Sequence, residues 1–176
     1  MIIKIKEIDL AKIHHDAVFV LVGKRRTGKT TWGKSIISSL RGKIGRFCLI
    51  AGNKDVRYEW SDCISSLYIT PKAFGEAKLE ELRNYQEARV CLYTQKQQPI
   101  PYKYRVGVIL DDCGSDIKFM KSKIIRDILA NGRHYGMFTL IMVQYYYQIP
   151  RRCLENIDYL GLLRTNNQDN LRKIHT

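Results

Sequence analysis

The sequence predicts an α/β protein: a mainly parallel β-sheet covered by helices on both faces. Two observations carry this. Short continuous apolar runs recur at residues 17–23 (AVFVLVG), 46–52 (RFCLIAG), 104–112 (YRVGVILDD), 137–145 (MFTLIMVQY) and 158–164 (DYLGLLR). Between them, apolar residues return at helical spacing, clearest in residues 28–40 and 122–136. Strands covered on both faces read as unbroken apolar runs, and parallel strands need long crossovers that are usually helical.

Each element has its own warrant. The run 17–23 ends in Gly23 and reads as a buried strand. Residues 28–40 read as a helix with Trp32, Ile36, Ile37 and Leu40 on its inner face. Residues 46–52 form a second strand, and a helix is predicted within residues 73–95. Residues 104–112 form the third strand. Residues 122–136 form a helix that turns Ile124, Ile125, Ile128 and Leu129 inward, with Gly132 and Gly136 punctuating its end. The fourth strand is 137–145, Pro150 opens a short helical turn, and 158–164 is the fifth strand. The chain of 176 residues suits a single domain, with its core at about 17–164.

The bulk numbers narrow the function classes. A net charge of +13 predicts attraction to polyanions such as nucleic acid or an anionic membrane, and the cations cluster at 24–26, 118–123 and 151–152. The five cysteines are scattered and none has C-x-x-C spacing, which argues against a zinc site and a disulfide scaffold. Reduced thiols in a cytosolic setting fit them best. The opening MIIKIKEIDL alternates apolar and charged residues, unlike a signal-peptide core, and no apolar run is long enough to span a bilayer.

The polar residues at the strand ends carry the chemistry, because ligands of such sheets bind at the carboxyl ends of the strands. Gly23-x-x-x-x-Gly28-Lys29-Thr30 is a complete P-loop between a strand and a helix. Its glycines let the backbone curl so that N–H groups point inward, and the following helix offers its positive end to phosphates. Gly23, Thr27, Gly28, Lys29, Thr30 and Thr31 are therefore the nucleotide-binding set of the loop. Lys29 reaches the β and γ phosphates, and the Thr30 hydroxyl ligates Mg2+. Asp111 and Asp112 follow four apolar strand residues in the Walker B arrangement: Asp111 holds the magnesium and Asp112 orients or deprotonates the attacking water. A carboxylate directly after the magnesium aspartate favours hydrolysis over transfer to an acceptor.

Other positions stay open between two readings. Gln144 ends a strand that can lie beside the P-loop strand, where it faces the γ-phosphate; otherwise it caps the strand. Arg133 precedes that strand and suits an arginine finger in trans, or charge compensation at a helix end. Lys118, Lys121 and Lys123 flank Phe119 in a loop that contacts a phosphate backbone or is simply solvated. The tyrosines of QYYYQIPRR read as strand-end packing rather than base stacking, and His14, His15 and His134 as structural. GNKD (52–55) falls one residue short of the guanine-recognition spacing and follows too early a strand, so a GTPase is rejected.

Together, LVGKRRTGKT, VILDD and GRHYGMFTLIMVQ…IPRRCLENIDYLGLL resemble the poxvirus-type genome-packaging ATPases of nucleocytoplasmic large DNA viruses, in the FtsK–HerA superfamily of ring-forming DNA pumps. Arg25, the Asp-Asp pair, Arg-His before a strand ending in glutamine, and N-x-D before the last strand make the combination specific. The resemblance spans about residues 17–164. It implies a RecA-like ATPase forming a homo-oligomeric ring on double-stranded DNA, with ATP and Mg2+ between subunits. Lys29, Thr30, Asp111, Asp112 and Gln144 would act in cis and Arg133 in trans. It further implies capsid or portal partners and a place in the host cytoplasm, the viral factory or the virion. Arg25 sits where the family carries arginine, which implies that it joins the nucleotide-binding set by bracing the γ-phosphate, or else braces a subunit interface, whereas Lys24 and Arg26 have no assigned role. Two departures stand out. Asp112 replaces a glutamate common in the wider superfamily, which puts the hydrolysis rate in question. The chain also stops at NLRKIHT as a helix begins, so it reads as a core, a shortened chain or a small relative. The competing readings are a P-loop kinase, against which the absence of an arginine-rich late lid counts, and a non-catalytic ATP-dependent DNA clamp.

Overall fold

The computed structural model describes residues 8–164, so the helix expected at 170–176 lies outside the described residues, as do residues 1–7 of the amino-terminal segment. Six parallel strands form one sheet: β1 (Val18–Val22), β2 (Arg46–Ala51), β3 (Ile69–Pro71), β4 (Val106–Asp111), β5 (Phe138–Val143) and β6 (Tyr159–Leu162), in the order β3-β2-β4-β5-β1-β6. The helices are α1 (Lys29–Ser39), α2 (Lys54–Trp60), α3 (Gly75–Gln95), α4 (Ile117–Met120) and α5 (Lys123–Asn131). The predicted α/β class with an all-parallel sheet is what the chain adopts.

Strand side chains alternate between two core layers, as the two-residue period requires. On β1, Val18, Val20 and Val22 point to one layer, and Phe19 and Leu21 to the other. The first layer is closed by α3, α4 and α5 through Leu79, Leu82, Phe119, Ile125 and Ile128. The second is closed by α1 and α2 through Ile36, Ile37, Val56 and Trp60. Full burial of each such aliphatic side chain contributes roughly 1.5–3 kcal/mol. Coverage on both faces explains why the central strands carry no polar alternation.

Four local expectations change. Trp32 is 43% exposed, not on the inner face of α1. Gly33 takes the inward position instead, because a Cβ there would lie 2.9 Å from Met142 Sδ and 3.0 Å from the Trp60 ring. Strand β3 has three residues and α2 has seven, both too short to register as periodic patterns. The basic segment after Asp112 is not wholly a loop: Asp116 caps α4 by accepting the Phe119 N–H at 3.0 Å, and Phe119 and Met120 are buried. Finally, His14 and His134 are exposed, which removes a buried structural role; burial and then Arg105 push the His15 pKa down.

Topology builds the site. Strand β5 pairs with β1 on one side and β4 on the other. It therefore delivers its carboxyl end between the P-loop and the acidic pair. All five cysteines are free, and no described helix is long and apolar enough to cross a membrane.

Candidate active site

The P-loop leaves β1 through a tight exit. The Gly23 N–H donates to Val143 O at 3.1 Å, and a Cβ on Gly23 would lie 2.8 Å from both Leu163 Cβ and Thr27 Oγ1. Gly28 has φ +88, a left-handed conformation that glycine adopts without strain, and Arg26 also has positive φ (60°). Gly28 then caps α1 without any side-chain hydrogen bond, which leaves the leading N–H groups of an eleven-residue helix to meet an anion. Lys29 Nζ donates to Gly23 O at 2.6 Å and Lys24 O at 2.8 Å. Burial lowers its pKa, and the carboxylates Asp111 and Asp112 oppose that shift.

Across the cleft, β4 ends in Asp111, which is 5% exposed. Its Oδ2 accepts the Trp60 indole N–H at 2.9 Å. Burial pushes its pKa up to about 6; the Trp60 bond resists this and the Asp112 charge adds to it. Asp112 has φ +53, in the left-handed region that a short polar residue tolerates better than a branched one. Its Oδ2 accepts Asn53 Nδ2 at 2.6 Å and its Oδ1 accepts Gln144 Nε2 at 3.3 Å. Gly52 makes this possible, since a Cβ there would lie 2.0 Å from the Asp112 carbonyl oxygen. Thr30 Oγ1 donates to Glu59 Oε2 at 3.0 Å.

These groups line one open cleft of about 740 Å³. Its P-loop wall carries Arg25, Gly28, Lys29, Thr30 and Thr31, and its far wall Asp111, Asp112 and Gln144. Gly23 and Thr27 stand behind the wall and shape the loop, with Thr27 Oγ1 donating to Lys24 O at 2.8 Å. A cationic, N–H-rich wall facing carboxylates suits a polyphosphate and a hydrated hard cation between them. Thr30, Asp111, Asp112 and Glu59 offer only oxygen donors, as Mg2+ prefers. Among the described residues no three His, Cys, Asp or Glu side chains converge into a ready-made metal cage. Magnesium held by one or two carboxylates together with substrate phosphates requires none.

Residues 6–175 match the family model described as Poxvirus A32 protein. The chain belongs to that family. Its A32-type sequence is 26% identical over 160 residues to uncharacterized protein 075L of Invertebrate iridescent virus 6, covering 89% of this chain and 57% of the relative. It is 28% identical over 178 residues to uncharacterized protein L437 of Acanthamoeba polyphaga mimivirus, covering 98% of this chain and 61% of the relative. The chain thus spans about six tenths of the length of these two relatives. The genome packaging NTPase B204 of Sulfolobus turreted icosahedral virus 2, solved with ATP-gammaS, superposes with a TM-score of 0.67 at 21% identity, over 93% of this chain and 82% of that one. At that identity the likeness establishes the shared fold.

The remaining residues singled out in this A32-family chain lie away from the cleft. Arg133 sits at the amino ends of the strands, ion-paired with Asp158, whose Oδ2 also accepts the Val18 N–H at 2.8 Å. A strand of five or six residues, roughly 17–20 Å, separates it from its own P-loop. Lys118, Lys121 and Lys123 are all exposed, and Lys121 borders a second groove with Ile117, Tyr147 and Arg151. Tyr146 packs on the core as expected of strand-end packing, whereas Tyr147 is 58% exposed and stacks on Tyr145 at 5.3 Å. Arg26, Asn53 and Glu59 line the cleft without a role assigned from the sequence, as does Trp60 behind Asp111. Of these, only Asn53 carried a local signal, as the N-cap of a short helix accepting the Val56 N–H at 3.0 Å.

Proposed function

We propose that the chain is an ATPase that drives double-stranded viral DNA into a capsid, working as a ring of identical subunits. The observation that carries this is the convergence of an uncapped α1 terminus, Lys29, the Asp111–Asp112 pair and Gln144 on one cleft. Family membership supplies the biological setting.

The P-loop N–H groups and Lys29 bind and neutralise the β and γ phosphates. Thr30 and Asp111 hold Mg2+, which when bound supplies charge neutralisation at the transferred phosphoryl group. Asp112, fixed by amides on both of its oxygens, orients the attacking water and takes its proton. Gln144 touches the same carboxylate, so it sits where a water and the γ-phosphate meet. Arg133 belongs to a neighbour's site, because it lies at the wrong end of its own sheet. Lys118, Lys121 and Lys123 contact the DNA backbone without reading bases.

The test is ATP hydrolysis with and without double-stranded DNA over a salt series. DNA should stimulate the rate, and salt should abolish the stimulation. Lys29→Ala should lose nucleotide binding, whereas Arg133→Ala should bind ATP yet hydrolyse it at least 100-fold more slowly. Mixing Arg133→Ala with Lys29→Ala subunits should restore part of the rate, because each supplies what the other lacks at a shared interface. Normal hydrolysis by Arg133→Ala would sink the trans role, and hydrolysis dependent on a small-molecule acceptor would point to a kinase.

A further inference from the structure

We propose that Glu59 is a positioning residue for the magnesium ligand Thr30: it accepts the hydroxyl's hydrogen bond and so leaves the oxygen's lone pairs for the metal. The inference rests on the ATPase reading above and assigns a role to a residue outside both Walker motifs.

A threonine hydroxyl has one proton to donate and two lone pairs to offer. An ionised carboxylate only accepts, so in the 3.0 Å contact between Thr30 Oγ1 and Glu59 Oε2 the proton points at Glu59. The lone pairs are then left for a cation. The two Walker B carboxylates have other hydrogen-bond donors. Asp111 Oδ2 accepts from Trp60, and the two oxygens of Asp112 accept from Asn53 and Gln144. Glu59 is the acceptor the geometry assigns to Thr30.

Its position is also fixed. Helix α2 is tied down at both ends, by Asn53 bonded to Asp112 at its start and by the fully buried Trp60 bonded to Asp111 at its finish. Glu59 lies directly before that anchor and is itself exposed, so its carboxylate borders the cleft from a held element and its removal leaves the core untouched. One short helix thus touches Thr30, Asp111 and Asp112 at once. Partners that orient a metal ligand typically change metal affinity or activity by about 10–100-fold when removed.

The experiment is a binding titration rather than a turnover assay. The full chain, as wild type, Glu59→Gln and Glu59→Ala, is titrated with a fluorescent non-hydrolysable ATP analogue at fixed concentration and increasing Mg2+, and separately with the analogue in EDTA. The expected result is a Mg2+ midpoint raised about 10–100-fold in Glu59→Ala, with affinity in EDTA within about twofold of wild type. Glu59→Gln keeps an acceptor oxygen and should fall between. Glu59→Ala placed on Thr30→Ala should move the midpoint no further than Thr30→Ala alone. An unmoved midpoint in Glu59→Ala, an equal loss in EDTA, or full additivity with Thr30→Ala overturns the proposal while leaving the ATPase reading intact. A wild-type chain that binds no analogue overturns both.

Discussion

Asp111 places a carboxylate almost out of water, 5% exposed, with the Trp60 indole N–H bonded to one oxygen. A buried carboxylate resists ionisation, and this one titrates at about 6 against an ordinary value near 4. Between about pH 4 and pH 6 the folded chain binds a proton that the unfolded chain has lost, so stability rises as pH falls through that window. At pH 7 the ionised group therefore destabilises the nucleotide-free protein, by roughly 3 kcal/mol from the size of the shift. Asp111→Asn should raise the unfolding midpoint of the nucleotide-free chain at pH 7, and its advantage over wild type should fade toward pH 4. Denaturant melts of both proteins across pH 4–8 measure this; an advantage independent of pH would remove the argument. A site that holds an uncomfortable charge until a cation arrives trades stability for binding.

At the scale of the element, α2 is inconspicuous in sequence yet bonds both Thr30 and Asp111, and its cap residue bonds Asp112. Its seven residues hold only two buried apolar side chains, Val56 and Trp60, so it shows no period. What fixes it is polar. Asn53 caps it and bonds Asp112, and Trp60 fills the space that Gly33 leaves under α1 while its N–H reaches Asp111. Trp60→Phe keeps most of the ring and deletes the donor. Removing a partner from a buried group costs about 1–3 kcal/mol, so Trp60→Phe should lower stability by that amount at pH 7. The loss should shrink at pH 4, where Asp111 is protonated and the charge is gone. Circular dichroism melts at the two pH values distinguish this from a packing defect, which would be the same at both. The GNKD stretch shows how a motif's meaning depends on its element: here Gly52 clears the Asp112 carbonyl and Asn53 holds the Asp112 carboxylate.

Across the whole molecule, charge and topology divide the labour. A net charge of +13 favours attraction to polyanions, and salt weakens such attraction. If Lys118, Lys121 and Lys123 meet DNA phosphates, replacing each with alanine should reduce the slope of log affinity against log salt by about 1. Fluorescence anisotropy with two unrelated duplexes checks it. Equal losses on both duplexes fit backbone contact, and an unchanged slope would return these lysines to the solvated surface. Arg133 and the cleft occupy opposite ends of the sheet, a separation that suits a head-to-tail ring in which one subunit's strand starts approach the next subunit's strand ends.

Local order in the chain was enough for much of this. Buried parallel strands announce themselves as apolar runs, and the P-loop and the Asp111–Asp112 pair are contiguous motifs whose residues are already neighbours. Five of the six strands, α1, α3, α5 and the P-loop wall of the cleft were legible for that reason. Folding alone creates the contacts between residues far apart in sequence: Glu59 with Thr30 at 29 residues, Trp60 with Asp111 at 51, and Asn53 with Asp112 at 59. No pattern along the chain marks such pairs. They exist because the crossover from β2 to β3 lays α2 beside the cleft, and a short polar helix acquires its role only from where the sheet puts it.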